Sequence, residues 1–259
     1  MTEHQGFGTM LAWLLEHRHL GVRELAGRAG SATGEVRAVL AGAAPGEGLL
    51  RRLAPALGFR AVDLFVLAGV AVPEDLAPTD VAAQQWVPYV VMDGLHLPAA
   101  GRRELLRLAR SLPQAERNSP FAPKLLAPLD GGPGSRVIRM LQYRNLTWPG
   151  IAKTLGVATP TYLSAPTYGV IGKDLKELTP RLVTDFATLL GIDARELAGL
   201  TGVTLQEAPP PPAPEAADAA ELLWAARRLS AAQARQLAEL ARSMREEPRN
   251  GYTLNLPGA

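Results

Sequence analysis

Arginine side chains recur between residues 23 and 52, where they could hold phosphate groups. A guanidinium group is permanently charged, and its donors lie in one plane that matches a phosphate. The candidate contacts in this segment are Arg23, Arg28, Arg37, Arg51 and Arg52, together with Thr33 and Glu35. A solvated, arginine-rich surface would have the same composition. Phosphate binding is therefore a hypothesis that depends on how the surrounding elements place these side chains.

A second basic group lies between residues 136 and 181. Although the net charge of the whole chain is only +2, residues 101–187 hold 13 Lys or Arg against 6 Asp or Glu. Such a stretch either attracts phosphates or docks on acidic parts of its own protein. The basic residues are Arg136, Arg139, Arg144, Lys153, Lys173, Lys176 and Arg181. Of these we take Arg144 and Lys153, with the nearby hydroxyl of Thr161, as candidate phosphate contacts.

Aromatic residues accompany this second basic group. Tyr143, Trp148, Tyr162 and Tyr168 could form a surface for a partner protein or a small effector, because aromatic anchors often lie at the centres of interfaces. They could equally fill the core. A further stripe of large side chains, at Trp86, Tyr89 and Met92, has the spacing of a helical packing seam.

Several classes of function find no support in the composition. The chain has no cysteine, which excludes disulfides and thiolate metal sites and is typical of a cytoplasmic protein. Its four histidines lack the spacing of metal ligands, and no nucleophile lies beside a general base. We therefore expect no enzymatic activity, no metal and no cofactor. No apolar run reaches the ~20 residues of a membrane helix.

The positions of the apolar residues predict helices along the whole chain, and one segment occurs twice. Residues 14–40 (LLEHRHLGVRELAGRAGSATGEVRAVL) align without gaps with residues 140–166 (MLQYRNLTWPGIAKTLGVATPTYLSAP). The identical positions include Leu20 and Leu146, Arg18 and Arg144, and Gly30 and Gly156. Each segment predicts a helix-turn-helix. The fold class is therefore all-α, with two homologous helix-turn-helix bundles that are each followed by a helical pair.

Proline and glycine clusters divide the predicted elements into domains. Residues 1–117 form the first helix-turn-helix unit with its helical pair, and residues 118–134 form a Pro/Gly-rich linker. Residues 135–207 form the second, degenerate helix-turn-helix unit. A Pro-rich linker at 208–217 precedes the C-terminal helical pair at 218–248, and residues 249–259 form a tail.

The first copy resembles the Cro/Xre-like, phage-repressor family of helix-turn-helix domains. The resemblance covers about 50 residues and rests on the core positions, the turn glycine and the glycine that ends the third helix. These residues are Leu15, Leu20, Leu25, Ala26, Gly30, Val36, Val39, Gly42, Leu53, Ala54, Leu57 and Gly58. It implies that the third helix lies in the major groove of double-stranded DNA and that its first residues meet base edges.

Both copies depart from the family pattern around the turn. In the first copy Ala32 replaces a serine that would cap the helix, and Thr33 replaces a glutamine that could form two hydrogen bonds with adenine. In the second copy the recognition helix is expected to start near Thr159 and to be cut short by Pro166, because proline cannot continue a helix. Because both copies keep the helix-turn-helix core but lack the family's usual DNA-contacting residues, two hypotheses for the function remain.

In the first reading the protein is a cytoplasmic, DNA-associated transcriptional regulator that docks on the duplex through its first copy. In the alternative it no longer binds DNA and holds a partner protein or a small effector through its second copy. A homodimer built through the C-terminal helices is a further expectation.

Overall fold

The computed structural model describes residues 5–114, 116–117, 119–207, 209 and 213–246, and these residues form helices without any strand. The all-α prediction is confirmed. Within the described ranges, no helix is both long and apolar enough to cross a membrane. The division into separate bundles and domains stays a prediction.

The first half of the chain holds seven α helices and two short 3-10 helices among its described residues. The α helices are α1 (Phe7–His17), α2 (Val22–Arg28), α3 (Thr33–Leu40), α4 (Glu47–Ala56), α5 (Ala61–Leu67), α6 (Val87–Leu95) and α7 (Ala99–Ser111). The 3-10 helices are Glu74–Leu76 and Val81–Gln85. Here α1 to α4 follow the predicted helix-turn-helix frame, and α6 and α7 are the predicted helical pair.

The second half also holds seven α helices among its described residues. Its helices are α8 (Pro133–Gln142), α9 (Trp148–Ala158), α10 (Ala165–Ile171), α11 (Pro180–Leu190), α12 (Ala194–Thr201), α13 (Pro214–Ala226) and α14 (Ala231–Glu246). The turn that follows α4 in the first half is repeated after α11 in the second half. Gly58 and Gly191 end α4 and α11 with φ of 66° and 68°, a left-handed conformation that glycine adopts without steric cost.

The two halves contact each other in a reciprocal way. Helix α1 packs against α12, and their counterparts α8 and α5 pack against each other. Helix α6 packs against α14, and α7 packs against α13. Each member of one helical pair is therefore covered by a member of the other pair. The buried apolar residues of both halves belong to a single cluster.

Three arginines surround the ring of Trp224 on α13. The guanidinium carbons of Arg227, Arg60 and Arg144 lie 3.7, 4.7 and 5.0 Å from the centroid of its ring. Burial, and then the nearby charge of Arg144, lowers the pKa of Arg227 to about 9. The stacked indole and the ion pairs of Arg60 and Arg144 hold these charges at the contact between the halves.

The described part of the predicted linker at 118–134 is packed on the second half. Phe121 is buried, and its ring lies 5.3 Å from that of Tyr143. Gln142 of α8 bonds this segment at both ends of its amide: Oε1 accepts from the backbone N–H of Ala127, and Nε2 donates to the carbonyl of Leu125. Helix α8 begins at Pro133, inside the predicted linker.

Candidate nucleic-acid interface

Helices α2 and α3 form a helix-turn-helix in the first half. The turn between them passes through Gly30, whose φ of 57° suits glycine. Helix α3 buries Val36 and Val39 against the core and packs mainly against α1 and α2. Its opposite face is exposed, with Glu35 and Arg37 in solvent and Thr33 half-exposed. This uncovered helix face is where the sequence predicted duplex contact.

Two arginines of this helix-turn-helix have no counter-ion among the described residues. Arg23 on α2 and Arg37 on α3 are exposed, and neither has an ion pair with any residue that the structure describes. Arg28 is exposed but lies 2.7 Å from Glu24, four residues earlier on the same helix. Arg23 and Arg37 are therefore the side chains best able to reach a phosphate.

Arg51 is held by two carboxylates. It lies 2.8 Å from Glu47 and 2.8 Å from Asp75. The hydrogen bonds from Arg51 lower the pKa of Asp75 below its ordinary value, since they stabilise the charged carboxylate. Arg51 is thus a weaker phosphate ligand than the sequence suggested. Arg52 makes a longer contact of 3.4 Å with Glu35.

Glu35 has a local role that its sequence position did not reveal. Its carboxylate accepts a hydrogen bond of 3.1 Å from the backbone N–H of Ala32 at the start of α3. This is the glutamate half of a capping box, and it occurs here although Ala32 has no hydroxyl to complete the motif. The negative charge of Glu35 on the exposed face of α3 therefore caps the helix, and the nearby charge of Arg52 partly offsets it.

The second half has no equivalent recognition helix. Helix α9 continues through Gly156, the position of the turn in the first copy, and ends at Ala158. The next helix, α10, begins at Ala165 and carries Pro166 in its first turn. The prediction that Pro166 ends a helix is therefore wrong. Proline is well accommodated in a first turn, where its missing N–H would have no partner.

Two of the predicted phosphate contacts in this half are buried. Arg144 is 1% exposed and pairs with Asp63, and the hydroxyl of Thr161 is buried and donates to Asp185. Neither side chain can reach DNA, because each satisfies a buried carboxylate. These two predictions are corrected. Arg136 and Arg139 of the predicted basic group donate to the backbone carbonyls of Gln5 and Ala127.

The four aromatic candidates do not form one surface. Tyr143 and Tyr168 are buried, which corrects the prediction that they contact a partner. Burial also raises the pKa of Tyr168 to about 12. Trp148 is half-buried against α10, where a Cβ at Gly169 would lie 2.6 Å from its ring. Tyr162 is the exception, with 88% of its surface exposed.

Lys153 contacts a residue that the sequence had assigned to a packing seam. Its ammonium group lies 2.7 Å from the hydroxyl of Tyr89 and 4.3 Å from the centroid of that ring. Both line a cavity of about 470 Å³ between α6, α9 and α14. Sequence reasoning missed this cavity because its walls come from segments far apart in the chain.

The geometry thus leaves a helix-turn-helix with an uncovered α3 face, in which Arg23 and Arg37 are available for phosphates, and a cavity beside Lys153 between the halves. Neither feature contains a pair of groups arranged for proton transfer or nucleophilic attack. The chain matches none of the protein-family models, curated proteins or solved structures with which it was compared.

Proposed function

We propose that the protein is a cytoplasmic, DNA-associated transcriptional regulator that docks on the duplex through α2 and α3. The observation that carries the proposal is the outer face of α3. Arg37 is exposed there without a carboxylate partner among the described residues, and Arg23 of α2 is exposed in the same way. A helix that enters the major groove needs such a free face.

The composition of this face favours electrostatic docking over base reading. Gly34 and Ala38 occupy exposed positions of α3, and neither offers a hydrogen-bonding side chain to a base edge. The cationic side chains would contact phosphates, which carry no sequence information by themselves. We therefore expect weak sequence preference and an affinity that falls steeply with salt.

Docking would involve one half of the chain. The second half has a non-helical segment at residues 159–164 where the first has α3, and both Arg144 and Lys153, its predicted basic contacts, are engaged within the protein. A single half-site is therefore expected, without the palindrome that a symmetric dimer reads. The outward residues of α14 include Arg235, Glu239 and Arg242, which gives little apolar surface for the homodimer that the sequence suggested.

Binding of a labelled duplex at a series of salt concentrations tests the proposal. For the unaltered protein, log K should fall linearly with log salt, and the double variant R23A/R37A should reduce that slope by about 2, since each phosphate contact contributes about 0.9. Arg103→Ala is the matched control, because Arg103 is an exposed arginine on α7. No binding at about 50 mM salt, or equal slopes for all three proteins, would refute the proposal.

A second candidate function is supported by two exposed apolar residues of the second half. Tyr162 is 88% exposed and Leu175 is 75% exposed, and aromatic residues such as Tyr are enriched in protein–protein interfaces. In this alternative the second half binds a partner protein. Failure to bind any duplex, together with a defined partner whose binding is lost in Tyr162→Ser, would favour it over DNA docking.

A further inference from the structure

The cavity between α6, α9 and α14 has the walls of a small-molecule site. Its volume of about 470 Å³ lies in the range of ligand pockets. Trp86 and Tyr89 provide aromatic walls, with ring centroids 6.3 Å apart and planes inclined by 51°. Pro88 and Pro149 add apolar surface. These walls suit a flat, apolar ring.

Gln84 carries an unsatisfied hydrogen-bond donor at the wall of this cavity. The residue lines the cavity and is only 8% exposed. Its amide nitrogen is buried and has no hydrogen-bond partner among the described residues. A buried donor without an acceptor is costly, and native proteins leave few of them. A turn of the Gln84 side chain toward the cavity would let an acceptor atom on a bound molecule satisfy this donor.

Lys153 gives the cavity a positive charge that no described carboxylate neutralises. Its ammonium group donates to the hydroxyl of Tyr89 and lies over the ring of that residue. The two acidic residues of the lining are engaged elsewhere: Asp93 lies 3.3 Å from Arg245, and Glu239 lies 3.8 Å from Arg235. The charge available to a ligand is therefore positive.

We propose that this cavity binds a small, planar aromatic carboxylate. The ring would lie against Trp86 and Tyr89, and the carboxylate would accept from the ammonium group of Lys153. With its side chain turned toward the cavity, Gln84 would donate from its amide to an oxygen of the ligand. Because α6 belongs to the first half and α9 and α14 to the second, the ligand would join the two halves. This site does not depend on DNA docking.

Isothermal titration of the full chain with 2-naphthoate tests the site. We expect one molecule bound per chain with a Kd of about 1 mM or tighter, which is typical for a ligand of this size. The neutral analogue 2-naphthamide should bind about tenfold more weakly, because it lacks the charge that Lys153 recognises.

Variants of Lys153 and Gln84 test whether 2-naphthoate binds in this cavity. Lys153→Met should weaken the binding of 2-naphthoate about tenfold and leave the binding of 2-naphthamide nearly unchanged. Lys173→Met, at an exposed lysine of the second half, should change neither affinity. Gln84→Met should also weaken the binding of 2-naphthoate. This variant should fold, because it keeps the shape of the side chain and removes a donor that has no partner. Lys153→Gln provides a second test if Lys153→Met is unstable.

Three results would overturn the proposal. The first is the absence of binding up to about 5 mM 2-naphthoate, well above the expected Kd. The second is equal affinity for the carboxylate and the carboxamide. The third is 2-naphthoate binding that Lys153→Met and Gln84→Met leave unchanged. Because no DNA is present in these titrations, their outcome is separate from that of the duplex-binding experiment.

Discussion

Arg144, in the turn after α8, and Asp63 of α5 form a buried, bidentate ion pair that joins the second half of the chain to the first. Two guanidinium nitrogens of Arg144 donate to the two carboxylate oxygens at 2.5 and 2.8 Å. The side chains are 1% and 0% exposed. Arg144 also donates to the carbonyl of Leu190 in its own half.

The counterpart of this pair occurs on the other side of the same contact. Arg18 occupies the position of Arg144 in the repeat, and it donates to both carboxylate oxygens of Glu196 on α12 at 2.5 and 2.6 Å. It also donates to the carbonyl of Leu57, which corresponds to Leu190. Contacts that repeat with the partners exchanged are the pattern of a two-fold, isologous interface. A single chain thus contains contacts of the kind that two identical subunits make.

The two pairs should differ in their contribution to stability. Asp63→Asn leaves the buried charge of Arg144 without a counter-ion and should lower the free energy of unfolding by about 3–5 kcal/mol. Glu196→Gln should cost on the order of 1 kcal/mol, because Arg18 is 29% exposed and water can solvate it. Urea denaturation measures both. Equal losses would show that burial does not distinguish the two pairs.

Asp185 should make stability depend on pH. Burial raises the pKa of its carboxyl above the ordinary value of 3.8, although the hydrogen bond from Thr161 and the charge of Arg181 oppose the shift. The folded protein therefore holds this proton more tightly than the unfolded chain. This contribution to stability is greatest below pH 3.8 and is lost as the pH rises through the folded-state pKa.

Asp185→Asn removes that titration and keeps an acceptor for the Thr161 hydroxyl. The variant should be more stable than the unaltered protein at neutral pH, and the difference should shrink in acid. Thermal unfolding at a series of pH values measures this. Asp130→Asn, at an exposed aspartate, serves as the control and should change the profile little. A variant that is less stable at neutral pH would contradict the argument.

Two glycines should respond to alanine in opposite directions. A Cβ at Gly199 of α12 would overlap the ring of Trp13 on α1, whereas a Cβ at Gly34 of α3 would meet no atom within 4 Å. Gly199→Ala should therefore destabilise the protein by about 1–3 kcal/mol. Gly34→Ala should stabilise it by about 0.5–1 kcal/mol, because alanine favours the helix. Thermal melting distinguishes the two, and a stabilising Gly199→Ala would contradict the close packing of α1 on α12.

Cleavage of the chain between the halves should leave them associated. A specific protease site placed at residues 122–124, where Ala122 and Lys124 are exposed, would separate α1 to α7 from α8 to α14. Because α6 packs on α14 and α7 on α13, the fragments should elute together in size-exclusion chromatography. Denaturation and removal of one fragment should leave the other prone to aggregate. Separate elution of folded fragments would contradict a shared core.

Much of the first half was predictable because its local signals agree. The apolar spacing, the turn at Gly30 and the ends of the helices all indicate the same frame, and each is a short-range property of the chain. The second half shows where this reasoning ends. The segment around Pro166 allowed either the end or the start of a helix, and the choice depended on packing against α8 and α9.

The candidate sites were less predictable than the fold. A basic residue in the sequence does not reveal whether its charge is free, and the structure separates Arg37, which is exposed, from Arg144, which is buried in an ion pair. The cavity beside Lys153 had no signal in the sequence beyond the spacing of Trp86 and Tyr89. Its third wall, α14, lies far along the chain from both.

The sequence alone determined that the chain is helical and that one pattern of helices and turns occurs twice, because helix periodicity and glycine turns act over a few residues. The tertiary structure decided which charges face solvent, which are paired across the halves, and where a cavity remains. Those properties depend on contacts between residues that are distant in sequence, such as Arg144 and Asp63. The energy of such contacts appears only when both partners are brought together and water is excluded.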